Sequence, residues 1–292
     1  MKEIVVISGK GGTGKTSFSA AFAKLNNTNA VACDCDVDAA NLHMLLGSSF
    51  ENEVDFKSGH EANIAQEECI TCGKCMRVCR FGAIEFVGGK YIVKPYSCEG
   101  CHYCATICPT GAIEMELKTS GHSYCSKTDL GQTLVHAKLA IGAEMSGKLI
   151  AHTKERARVA AKKEGAKYLI VDGSPGIGCP VVSSLSGANL ALFVAEASIS
   201  GFHDLKRVHK LTKTFNIPSV MIINKSDLND EIKEELIKFA KENEVEIVGE
   251  MEYKKEVYEA LQEGKTLLDK DELKEKIISF WQKIEDNLKE KR

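Results

Sequence analysis

The sequence predicts an α/β protein, a mostly parallel sheet flanked by helices, into which a small α+β unit is inserted. Three observations carry this. Short apolar runs alternate with helical segments at both ends of the chain, the pattern of a parallel sheet covered on both faces. A Gly-rich loop separates the first such run, residues 4–7, from an Ala-rich helical stretch. Between residues 63 and 117 the alternation stops, and cysteines crowd in twice with one spacing. The expected division is a large domain of residues 1–62 and 118–292 and an insert of residues 63–117.

Taken in order, strands are expected at residues 4–7, 30–32, 168–171, 190–194 and 220–223, with helical segments between them. The last stretch sets Leu273, Ile277, Trp281, Ile284 and Leu288 on one helical face. Its flanking charges are nearly balanced, so a core-packing helix is expected there and membrane binding is not. Composition agrees with a globular chain: 292 residues, 43% hydrophobic, 27% charged, formal net charge -3. That charge gives no reason to expect nucleic acid as a partner. Met1-Lys2-Glu3 runs straight into the first strand without the pattern of a secretory signal, and no apolar run is long enough to cross a bilayer. A cytoplasmic protein is expected, whose twelve cysteines are reduced and suited to metal rather than to disulfides.

Ser8-Gly9-Lys10-Gly11-Gly12-Thr13-Gly14-Lys15-Thr16-Ser17 stands between strand and helix, the setting a phosphate-binding loop requires. Glycines let backbone N–H groups turn inward, and the following helix points its positive end at the phosphates. Lys15 is expected at the β- and γ-phosphates of ATP and the Thr16 hydroxyl at Mg²⁺.

The second lysine, Lys10, makes the loop resemble the deviant Walker A motif of the MinD, ParA, Mrp and nitrogenase-iron-protein superfamily of P-loop ATPases. The resemblance implies an ATP-dependent homodimer, with Lys10 crossing the interface to the partner's phosphates as a catalytic charge. Asp34-Cys35-Asp36-Val37-Asp38-Ala39-Ala40-Asn41-Leu42 resembles the family's switch I, which implies that Asp36 orients the attacking water. Asp34 and Asp38 support Mg²⁺ or cap the following helix. Asp172-Gly-Ser-Pro-Gly176 resembles Walker B with switch II, which implies that Asp172 holds Mg²⁺ through water and that the Gly176 N–H senses the γ-phosphate. Asn224-Lys225 resembles the adenine-recognising loop. The resemblance covers both ends of the chain and leaves out the cysteine-rich middle.

In that middle, Cys69-x2-Cys72-x2-Cys75-x3-Cys79 is followed by Gly82-Ala83-Ile84-Glu85, and Cys98-x2-Cys101-x2-Cys104-x3-Cys108 by Gly111-Ala112-Ile113-Glu114. One register throughout marks a duplicated unit. In such runs three thiolates wrap one cubane and the fourth serves the other cluster. Two [4Fe-4S] clusters are expected, one on Cys69, Cys72, Cys75 and Cys108, the other on Cys98, Cys101, Cys104 and Cys79; structural zinc is the alternative. Pro109 follows the last ligand as in bacterial two-cluster ferredoxins, whereas Arg80 stands where the first run would usually carry proline. Of the remaining cysteines, Cys33 and Cys35 read as small apolar fillers. Cys179 lies near where related cluster carriers bring cysteines to a dimer interface.

The combination resembles MinD-superfamily ATPases with an inserted ferredoxin domain. Two functions compete: ATP-gated electron transfer to a redox partner, and ATP-dependent assembly or transfer of a metallocluster to an acceptor protein. Positioning of cellular cargo is a weaker third, since it needs no redox centre.

Overall fold

The computed structural model describes residues 1–143 and 146–290. The chain forms two compact units, one of residues 1–54, 123–138 and 146–292, the other of residues 55–122 and 139–145. The second unit is thus wider than the 63–117 expected.

The first unit is built on parallel strands. β1 (Lys2–Ile7) lies between β8 (Tyr168–Asp172) and β9 (Leu190–Glu196). β10 (Ser219–Asn224) joins β9, and β11 (Glu246–Met251) joins β10; on the other side β2 (Ala30–Asp34) joins β8, and β7 (Thr133–Leu139) joins β2. Two long strands, β3 (Val54–Ile64) and β6 (Ile113–Lys127), carry the chain out to the second unit and back; the sheet order is β11-β10-β9-β1-β8-β2-β7-β6-β3. The pairings from β11 to β7 are parallel, so the C-terminal ends of β1, β2, β8, β9 and β10 open on one edge. In such sheets that edge is where ligands bind.

Both faces are covered because β1, β2 and β8 are apolar at every other position on either side. Ile4, Val6, Ala32 and Ile170 face a core made with Phe18 and Phe22 of α1 (Lys15–Asn26) and with α10 (Asp271–Glu290). The predicted helical face is there: Leu273, Ile277, Trp281, Ile284 and Leu288 are all buried, and the Trp281 ring lies 5.4 Å from Phe22 and 5.1 Å from Tyr168. The terminal helix therefore packs on the sheet. Between β7 and β8, α5 (Ser146–Glu164) bears the buried Lys154, paired with Glu3 at 2.7 Å. Lys154 also donates to the Ser184 and Ser186 carbonyls at the end of α6 (Cys179–Leu185). Among the described residues no helix is long and apolar enough to cross a membrane.

The second unit holds two short helices, α3 (Lys74–Val78) and α4 (Tyr103–Thr106), and an antiparallel hairpin of β4 (Ile84–Val87) and β5 (Lys90–Val93). The duplication read in the sequence is also a duplication of backbone. Positive φ recurs at matched positions: Thr71 and Gly100, Gly73 and His102, Gly82 and Gly111. Ile84 and Ile113, matched in the two repeats, both enter the small core beside Cys75 and Cys104.

Candidate functional site

The loop between β1 and α1 is held by three close approaches. Gly14, at φ 99°, starts α1 in a left-handed conformation that costs a residue with a Cβ about 1–2 kcal/mol. A Cβ on Gly9 would run into the backbone of Asp204 in α7 (Ile199–Thr214). At the end of β10, Asn224 Nδ2 donates to the Thr13 carbonyl at 2.7 Å, and Lys225 Nζ, just after the strand, donates to the Gly12 carbonyl at 3.0 Å. Asn224 and Lys225, expected at the base alone, thus also fasten the phosphate loop.

Three carboxylates converge beside that loop. Asp34 and Asp172 end adjacent parallel strands in register, and both are buried. Thr16 Oγ1 donates to Asp172 at 2.6 Å and Ser19 Oγ at 2.8 Å. Burial holds the Asp172 carboxyl above its ordinary range, opposed by the Lys15 charge and these two hydroxyls. Asp34 is pushed well up by burial and then by Asp172, against two backbone N–H donors, Leu42 and Asp36. Those donors lie at 3.0 Å each, so Asp34 caps the start of α2 (Leu42–Leu45) and anchors the 36–41 loop.

Asp36 stands half-exposed on this loop. Its carboxyl is raised by burial, which Lys15 counters. Carboxylates raised by one another in a place with one buried lysine suit a divalent cation, which would reverse each of those shifts. The Thr16 hydroxyl can keep its proton on Asp172 and turn a lone pair to that cation.

Two groups are engaged differently from expectation. Lys10 Nζ bonds within its own chain to Glu196 at 2.7 Å, Ser198 at 3.2 Å and Ser200 at 3.1 Å. The Gly176 N–H, at φ 91°, donates to the Ser8 carbonyl at 3.2 Å. Glu196, which the sequence did not single out, also pairs with Lys225 at 2.8 Å. Burial would raise its carboxyl, yet hydrogen bonds from Lys10, Lys225 and Ser198 bring it down to about 2. It is therefore ionised at neutral pH, where it pairs with both lysines. Its only sequence signal was a lone carboxylate closing an apolar strand.

A cavity of about 310 Å³ adjoins the loop, sharing Gly12, Gly14 and Ser17 with it and lined farther out by Asn224, Lys225, Tyr253 and Tyr258. The last two come from the segment after β11 and the start of α9 (Lys255–Gln262), which periodicity left unmarked.

The eight clustered cysteines sort into two groups of four. One cavity is lined by Cys69, Cys72, Cys75 and Cys108. Another is lined by Cys79, Cys98, Cys101 and Cys104. All are free thiols. Backbone N–H groups point at sulfur, Ala83 to Cys79 at 3.3 Å and Ala62 to Cys98 at 3.5 Å. Burial raises the Cys75 and Cys104 thiols, whereas at Cys108 the effect of burial is outweighed by hydrogen bonds from Thr110, Ala112 and Gly111 together, which draw its thiol down. Four soft ligands around a cavity, with N–H donors to sulfur, is a donor set that fits an iron–sulfur cubane. Elsewhere, Cys33 and Cys35 are fully buried with sulfurs 3.7 Å apart, Cys125 is half-buried and Cys179 is exposed at the start of α6.

This fold and loop define a class. The model of the CobQ/CobB/MinD/ParA nucleotide binding domain matches residues 4–267. The chain belongs to that family, whose MinD and ParA members are ATPases. It is similar to two proteins of Methanocaldococcus jannaschii, uncharacterized protein MJ0578 and uncharacterized protein MJ0579. The first is 40% identical over 232 residues, covering 78% of this chain and 79% of the relative. The second is 31% identical over 235 residues, covering 79% and 82%. Among solved structures it is similar to the septum site-determining protein MinD of Pyrococcus horikoshii complexed with Mg-ADP, with TM-score 0.57, 16% identity and coverage of 100% and 98%. The MinC:MinD cell division protein complex of Aquifex aeolicus gives TM-score 0.57, 18% identity and coverage of 98% and 96%. At such identities these likenesses speak for the fold alone.

Proposed function

We propose that the chain is a cytoplasmic ATP-driven switch that carries two [4Fe-4S] clusters and gates electron transfer to a partner protein. The observation that carries this reading is the sorting of eight cysteines into two cavities of four. Each set takes three cysteines from one repeat and the last of the other, the sharing expected of two-cluster ferredoxins. In this reading Cys69, Cys72, Cys75 and Cys108 hold one cluster, and Cys98, Cys101, Cys104 and Cys79 the other. The clusters supply one-electron chemistry when bound.

On the nucleotide side, Lys15 and the N–H groups of residues 9–17 receive the phosphates, and Thr16 with Asp172 receives Mg²⁺. Asp36 orients water. Two copies of the chain close on ATP, and Lys10 leaves Glu196 for the phosphates of the second copy. The Gly176 N–H leaves Ser8 for the γ-phosphate, so switch II and the α6 that follows it respond to nucleotide.

The anaerobically purified protein should contain about eight irons and about eight acid-labile sulfides per chain. Cys72→Ser should remove about half of that iron while leaving the remaining cluster's spectrum in place. One zinc per chain without labile sulfide would sink the cluster reading.

A second reading, ATP-dependent cluster assembly or transfer, is favoured by one feature, the exposed Cys179 beside switch II. The two readings part on coupling. For an electron-transfer switch, a non-hydrolysable ATP analogue should shift the cluster potentials or their rate of reaction with a partner, because nucleotide must favour one of two states to act at all. Iron should stay bound through repeated reduction and oxidation. Anaerobic redox titration beside a labelled-iron transfer assay reports both. ATP-dependent iron transfer abolished by Cys179→Ser, with potentials and partner kinetics indifferent to nucleotide, would establish the second reading instead.

A further inference from the structure

The two repeats can be laid residue on residue, Cys69 on Cys98 and Cys79 on Cys108, so the surroundings of the two cysteine cavities compare place by place. Backbone donors do not tell them apart. Ala83 and Ala62 serve Cys79 and Cys98 at 3.3 and 3.5 Å, and the N–H groups of Thr110, Gly111 and Ala112 serve Cys108. Side chains do. Thr110 Oγ1 lies 3.7 Å from Cys108 Sγ, and a sulfur bound to iron has no proton to give, so the hydroxyl donates. The matched residue after Cys79 is Phe81, which lines the other cavity with an apolar ring.

Charge differs in the same sense. Lys74 lines the cavity of Cys69, Cys72, Cys75 and Cys108, and Arg77 Nη2 donates to the Cys72 carbonyl at 3.3 Å. A Cβ on Gly73 would lie 2.7 Å from the Tyr91 hydroxyl and 3.4 Å from Arg77 Nη1, so the guanidinium is seated on this ligand loop. In the second repeat the matched residues are Tyr103 and Thr106, neither of them a cation. There Glu99 lines the cavity, in the place that Ile70 takes in the first. Arg80 follows Cys79, but it is exposed and absent from that lining, where salt and water screen its charge.

A cubane gains one negative charge on reduction. Hydrogen-bond donors and cations beside its ligands therefore favour the reduced state, and a carboxylate opposes it. We propose that the two sites are unequal in potential: the site of Cys69, Cys72, Cys75 and Cys108 takes the first electron, and the site of Cys79, Cys98, Cys101 and Cys104 takes the second and gives it up first. Thr110 and Glu99 act through the ligands as positioning residues that set this order. The inference rests on the cluster reading above and concerns only the sequence in which the two sites are reduced.

Titration of the anaerobically purified full chain with dithionite, followed by electron paramagnetic resonance, gives one wave for each cluster. Thr110→Val keeps the shape of the side chain and removes the hydroxyl. In that variant the higher wave should fall by about 3-fold in the reduction equilibrium, about 30 mV at 59 mV per tenfold for one electron, while the lower wave stays. In Glu99→Gln the lower wave should rise by about 2-fold, about 18 mV on the same scale, the effect of one charge acting across water, while the higher wave stays. Neither variant removes a ligand, so both should keep the wild-type content of iron and labile sulfide. Each reports on a different cavity, and Glu99→Gln decides if Thr110→Val does not fold. Thr110→Val moving the lower wave, Glu99→Gln moving the higher one, both waves shifting together, or no shift at all overturns the inference and leaves the clusters standing. Absence of both waves together with absence of labile sulfide overturns the cluster reading itself, and this inference with it.

Discussion

Lys15→Ala should weaken binding of magnesium nucleotide at least 100-fold, measured by calorimetry on the anaerobically purified chain. The size follows from where the ammonium sits. Lys15 is buried at the first turn of α1, in the electrostatic reach of both Asp36 and Asp172. Removing it subtracts the one buried cation from a group of carboxylates and then asks that group to accept a polyphosphate. Truncating one member of a buried, hydrogen-bonded charge pair costs about 2–5 kcal/mol, which spans about 30- to several-thousand-fold in affinity. A loss below about 3-fold would mean that the loop does not receive phosphates through Lys15. The same variant should keep its iron, because the cysteines belong to a separate compact unit.

How much of this was legible beforehand follows from which residues carry a local signal. The strands at 4–7, 30–32, 168–171, 190–194 and 220–223 are apolar on both faces, so they stood out as short uninterrupted runs. Among the strands that did not, three show why. β6 ends in Ser120, Ser123 and Ser126, all buried, and serines at core positions hide a strand from a hydrophobicity reading. β7 places the buried His136 among its apolar residues. β11 is broken by Gly249, where a Cβ would strike the ring of Phe280 on α10; the demand for close packing removed the very side chain that would have marked the strand.

The phosphate loop was readable because backbone-dictated glycines cannot be replaced without strain. The partners of that loop were not. Glu196 is an ordinary carboxylate in the sequence, and only the register of β9 beside β1 brings the strand end that carries it to Lys10 of the loop. The cysteines are the opposite case. Their spacing declared two groups of four, because three ligands of each lie within seven residues and the fourth is supplied by the other repeat in return.

Lys10→Ala should abolish the ATP-dependent dimer and lower hydrolysis by about 10³-fold, the effect of losing a cation supplied across an interface to the transferred phosphoryl group. In the single chain Lys10 is held by Glu196, Ser198 and Ser200, and the reading requires it to let go. The magnitudes allow that. The Lys10 side chain is 28% exposed, and a partly exposed ion pair contributes about 1 kcal/mol or less. A γ-phosphate in the water-excluded seam of a dimer offers several-fold more. Glu196 would not be stranded when Lys10 leaves, since Lys225 remains on its other oxygen at 2.8 Å; the carboxylate keeps a partner in either state. Asp36→Ala makes the contrasting variant, expected to form the ATP-bound dimer and fail to turn it over, because its carboxylate acts on water and not on association. Light scattering with ATP and a phosphate-release assay separate the two. A Lys10→Ala chain that dimerises with ATP as wild type does would mean that the lysine never leaves Glu196, and that the charge closing the site comes from elsewhere.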